Sequence, residues 1–123
     1  MYATLLKSHV GLAVLALLST LGWAAIVVLA KSAPGRSSRL AYIGAIASTG
    51  LAGVTGVVLA FAGGFATMAF PWIGLVAVAG HGLAGARSRR YLGVDRNGAA
   101  IGAAALQVVL LLVAYGAMTA KPF

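Results

Sequence analysis

The chain has 123 residues, of which 62% are hydrophobic and 8% charged, with a mean hydropathy of +1.03 and a net charge of +8 set by nine Lys and Arg against one acid, Asp95. A water-soluble domain charges about a quarter of its residues, so most of this exterior must face lipid, and the length suffices for one domain, residues 1–123. Without cysteine there is no disulfide, thiol nucleophile or Cys-ligated metal, and a single carboxylate excludes paired-carboxylate catalysis and carboxylate metal cages.

Four apolar stretches are predicted as helices, at about 5–30, 40–62, 69–86 and 98–119. Each approaches the ~20 residues that cross a hydrocarbon core, and lipid leaves helices as the form in which backbone groups are paired. The expected fold is an all-α integral membrane four-helix bundle. The first stretch carries Lys7 and His9 and stays apolar to Ala30, too long for a secretory signal core. "KSAPGRSSR", 31–39, follows with Lys31, Arg36 and Arg39.

The second stretch places small residues at every fourth position: Gly44, Ser48, Ala52, Gly56 and Ala60 in one row, Ala41, Ala45, Thr49 and Gly53 in another. Rows at this spacing let helix backbones approach closely. One row is expected to pack inside the bundle and the other to dock a partner. The turn that follows, around "AGGFATMAFP", has no charge, and Pro71 and Trp72 open the third stretch as early helix position and interfacial anchor. The third stretch carries His81 among Gly80, Gly82 and Gly85, which clear space for a flat ring, and runs into Arg87, Arg89 and Arg90. These arginines are read as headgroup contacts that fix orientation, with an anion or acidic-partner site as the alternative. The fourth stretch opens with Gly98 and Gly102 at helix-packing spacing and contains Gln107 and Tyr115.

Seven of the nine basic residues fall in 31–39 and 87–97, leaving Lys7 and Lys121 on the other side. Loops kept in the cytoplasm collect Lys and Arg, so both termini are placed outside, in the periplasm of a bacterial inner membrane. The basic residues sit between apolar runs with no nucleic-acid motif, so no nucleic-acid partner is expected.

Polar groups inside a membrane are costly and are the first functional candidates. The candidates are His9, His81, Gln107, Tyr42 and Tyr115. As a bis-histidine haem pair, His9 and His81 fail on depth. His9 lies about 31 Å, and His81 about 9 Å, from the basic edge at 1.5 Å per residue. Each remains a candidate single ligand to the iron of haem or another tetrapyrrole. The alternative is polar pairing between helices, His81 with Gln107 and His9 with Tyr115 or Thr119.

Several short motifs also carry a likeness. "MYATLLKSH" begins the first helix, "FPW" precedes the third, that helix carries "GHGLAGARSRR", and the chain closes with "MTAKPF". Together these resemble the small four-helix membrane proteins of the SirB group and, more remotely, the HemJ-type protoporphyrinogen oxidases. The latter resemblance implies haem ligation by His9. The chain departs from it between Trp72 and His81, where only apolar residues stand instead of a lysine, and at "DRNGAA", which replaces an Asn-Glu-Pro run.

With no catalytic residue assigned, the expected role is an accessory or assembly subunit. It would pack through the second and fourth helices against a larger membrane complex, other membrane subunits or itself. A haem- or tetrapyrrole-binding membrane protein using His9 or His81 is the alternative, and a small transporter or channel the third.

Overall fold

The computed structural model describes residues 1–29, 35–120 and 123. The fold is all-α, four helices in chain order: α1 (Tyr2–Leu29), α2 (Arg36–Ala62), α3 (Phe70–Gly93) and α4 (Asn97–Ala120). No proline interrupts a helix; Pro71 stands in the first turn of α3, where its missing N–H costs nothing. By length and composition, α1, α2 and α4 are each long and apolar enough to cross a membrane.

Two helix ends differ from expectation. α2 begins at Arg36 rather than near residue 40, and α3 continues to Gly93 rather than stopping near residue 86. Charge alone suggests a boundary, but arginine is a good helix former, and the inward period continues through Ala84, Ser88 and Leu92, all buried. Arg36, Arg39, Arg87, Arg89 and Arg90 therefore project from helical turns. Lys31 and Lys121 lie outside the described residues.

Glycine contacts give the topology. A Cβ on Gly44 would lie 3.2 Å from Ser19 Oγ, and one on Gly56 would lie 3.1 Å from His9 Cε1, so α1 and α2 are antiparallel. Gly53 faces Val78, and Gly85 faces Ile46, which makes α2 and α3 antiparallel. Gly74 meets Met118, Gly80 meets Leu110, and Ser88 Oγ donates to Ala100 O at 3.2 Å, which makes α3 and α4 antiparallel along nearly their whole lengths. The bundle is up-down-up-down, and its basic turns share one end.

The packing is inverted relative to a protein in water. Buried apolar positions are mostly alanine, among them Ala16, Ala45, Ala77, Ala100 and Ala104. Large apolar side chains point outward instead: Leu18 is 62% exposed, Val54 63%, Phe61 64%, Val76 73% and Leu83 67%. Water would penalise such a surface by about 25 cal/mol for each Å² of apolar area; acyl chains would not. Small residues inside and large ones outside are how helices associate when lipid removes the hydrophobic drive between them. This supports a membrane location.

The two ends are closed differently. At the end opposite the basic turns, Gly64 takes a φ of +75°, and Trp72 Nε1 donates to Ala66 O at 2.9 Å. Phe123 O accepts from the backbone N–H of Ala69 and Phe70 at 2.9 and 3.3 Å, capping the start of α3, while the Phe123 and Phe70 rings meet at 6.2 Å. The chain's final residue is thus seated beside the "FPW" segment. At the basic end, Trp23, Val27, Leu92, Ala100 and Ala104 form a core cluster with Tyr42 and Tyr91 packed against it. The only acid, Asp95, supplies the α3–α4 turn with a φ of +58°, a left-handed conformation that Asp adopts more readily than most residues.

Candidate functional site

Every helix sends a polar side chain into the bundle interior. α1 contributes Thr20 and Trp23, α2 Thr49, α3 His81 and α4 Gln107, each at most 2% exposed. The positions follow from the helical period. Ala16, Thr20, Trp23 and Val27 form one buried stripe on α1 at four- and three-residue steps, and α3 buries Ala77, His81 and Gly85 one turn apart.

Thr20 Oγ1 and His81 Nε2 are hydrogen-bonded at 2.9 Å, joining α1 to α3. That bond works in either imidazole tautomer, and Nδ1 has no partner in either. The expected His81–Gln107 bond is absent. Gln107 lies against Gly85, one turn along from His81, and neither its Oε1 nor its Nε2 has a hydrogen-bond partner. Thr49 Oγ1 and Trp23 Nε1 are likewise buried without partners among the described residues. Five polar atoms in this state are unusual, because burying such groups unpaired costs about 1–3 kcal/mol each.

His9 sits nearer the end opposite the basic turns and pairs with α2, not with Tyr115 or Thr119 on α4. Its Nδ1 lies 2.9 Å from Thr55 Oγ1. The threonine hydroxyl also lies 2.9 Å from Leu51 O of its own helix, so Thr55 ties the ring to the α2 backbone. The ring packs over Gly56. Tyr115 is 67% exposed on the outside of α4, and Thr119 Oγ1 bonds within α4 to Tyr115 O and Gly116 O.

The two histidines stand at different levels: His9 and the Thr20 partner of His81 are 11 residues apart on α1, which is about 16 Å along a helix. The room expected beside His81 for a flat ring is largely taken. Leu110 fills the space over Gly80 and Gln107 that over Gly85, while Gly82 stays open. No group of three or more metal-ligating side chains occurs among the described residues.

Both small rows of α2 are used within the chain. Gly44 and Gly56 face α1, Gly53 faces α3, and Ser48 and Ala52 are buried. Gly98 and Gly102 on α4 face open space.

Arg87, Arg89 and Arg90 are all exposed. Arg89 differs from the other two, because its guanidinium lies 4.9 Å over the Tyr42 ring on α2. Thr20, Trp23 and Thr55 were not singled out from the sequence, and Thr49 entered there only as a small-row position. The available signal was their spacing, since polar residues in lipid turn inward. The chain matches no family model, no curated protein and no solved structure.

Proposed function

We propose that this is an integral protein of a bacterial-type inner membrane, crossing four times with both termini outside. Within that membrane it acts as an accessory or assembly subunit, docked through the outer face of α4 to another membrane protein or to a second copy. The orientation rests on the basic residues gathered at one end. The crossing by α3 rests on its pairing with α4 from Gly74–Met118 to Ser88–Ala100, which sets both helices at the same depth.

One observation carries the docking reading. Gly98, Gly102, Ala105, Val109, Leu112 and Gly116 are all exposed and recur at alternating steps of four and three residues along α4. That spacing is the seam of paired helices, and four of the six are Gly or Ala, which admit a close second backbone. The outer sides of α1 and α2 carry bulky Leu18, Leu21, Val54 and Phe61 instead, suited to acyl chains. Cysteine at Ala105 should cross-link to a partner helix in native membranes, and Gly102→Leu should remove the cross-link without loss of helix. Cross-linking at the wild-type level in Gly102→Leu would overturn the reading.

The five unpartnered polar atoms favour a second reading, a small transporter or channel whose seam holds water or a small polar solute. Reconstituted protein should then conduct, and Gln107→Leu should lower both flux and melting temperature. No flux, together with a higher melting temperature for Gln107→Leu, would retire it. Haem or tetrapyrrole ligation by His9 or His81 would use the ring nitrogen that does not face threonine, Nδ1 of His81 or Nε2 of His9. A Soret band lost on His9→Ala or His81→Ala would support it.

A further inference from the structure

At the basic end, α1, α2 and α3 enclose a half-open pocket of about 470 Å³, lined by Trp23, Gly35, Arg36, Arg39, Tyr42 and Arg89. Three arginines from two helices line it. The chain's one acidic side chain, Asp95, lies in the α3–α4 turn, and no ion pair involves these arginines among the described residues.

The arrangement is electrostatically incomplete. Arg36 and Arg39 occupy the first turn of α2, which contains no acidic residue and whose N-cap, Gly35, has no side chain to accept from the first N–H groups. A helix N-terminus bears a partial positive charge and unpaired N–H donors, so two arginines there add like charge to like. Arg89 arrives from α3 and brings a third. It is held by stacking over Tyr42, itself braced edge-to-face by Trp23 at 5.2 Å. Trp23 is 1% exposed, and its indole N–H has no acceptor among the described residues. A loose headgroup-contacting surface needs no such bracing; a receptor for an anion does.

We infer that this pocket binds a phosphate group, borne by a lipid headgroup or by a soluble phosphate compound. Arginine's planar fork pairs with phosphate oxygens through two parallel hydrogen bonds, and the N–H groups that open α2 add donors of the kind that bind phosphate elsewhere. The cavity exceeds a bare phosphate, which leaves room for the group that carries it.

Trp72→Phe leaves Trp23 as the one tryptophan and so makes it a reporter. One arm titrates this protein in neutral detergent with inorganic phosphate at constant ionic strength, against chloride. The other compares nanodiscs of phosphatidylcholine with and without phosphatidic acid. The proposal expects a saturable change in Trp23 fluorescence, with its midpoint raised about tenfold by Arg39→Ala or Arg89→Ala and less than about twofold by Arg90→Ala, which removes the same charge outside the pocket. Saturation by inorganic phosphate identifies a soluble ligand, and saturation with phosphatidic acid alone identifies a headgroup. The proposal falls if neither arm saturates, or if Arg90→Ala weakens binding as much as Arg89→Ala. Circular dichroism confirms that each variant remains helical.

Discussion

His81 and Gln107 could be found by a simple rule: polar side chains in hydrocarbon are few and face inward. Their partners could not. Depth arithmetic brings Gln107 within a turn of His81, and the structure seats it against Gly85, one turn along. Depth says nothing of rotation about the helix axis, and rotation gives His81 to Thr20 and His9 to Thr55. Thr20→Val should therefore destabilise the bundle by about 0.6–1.7 kcal/mol, the range for interhelical hydrogen bonds in membranes. A double-mutant cycle with His81→Leu, read by thermal unfolding in detergent, should return a coupling energy of that order; zero coupling would mean the bond is not formed. The glycines beside His81 make a sharper pair. Gly85→Ala pushes a Cβ into Gln107 and Ile46 and should cost about 1–3 kcal/mol by overpacking. Gly82→Ala meets nothing within 4 Å and should leave the melting temperature close to that of the wild type.

At the scale of the element, the number and order of helices were legible because four apolar runs are separated by proline, glycine and charge. The ends were less so. Arg87, Arg89 and Arg90 look like a loop when charge alone is weighed, yet Ser88 and Leu92 carry the buried stripe of α3 onward from Ala84. The small rows of α2 were also visible, but a sequence does not state how many neighbours a helix has. Two neighbours, α1 and α3, consume both rows, and the unoccupied small face belongs to α4. Leucine scanning separates these roles. Gly56→Leu drives a side chain into His9 and should destabilise the α1–α2 pair by at least about 1–3 kcal/mol. Gly98→Leu should leave the isolated bundle's unfolding unchanged. Equal losses at the two sites would place α4's glycines inside the monomer after all.

For the whole molecule, the inverted packing fixes the solvent. A core of alanine, threonine and histidine beneath a coat of leucine, valine and phenylalanine is stable in acyl chains and an aggregate in water. Hydropathy by itself leaves the number of crossings undecided, since α1, α2 and α4 qualify as spans on their own composition and α3, interrupted by His81 and Arg87, does not. The proposed fourth crossing rests on its antiparallel fit to α4. Cysteine accessibility reads the crossings directly, because the chain has none of its own. Single cysteines at Ser37, Thr67 and Asp95 would be treated with an impermeant maleimide on intact cells and on inverted vesicles. Four crossings with the basic end inside predict that positions 37 and 95 label only in inverted vesicles and position 67 only in intact cells. Labelling of 37 and 95 from opposite faces would contradict the account, because it would leave α3 on one side of the membrane and the bundle unmade.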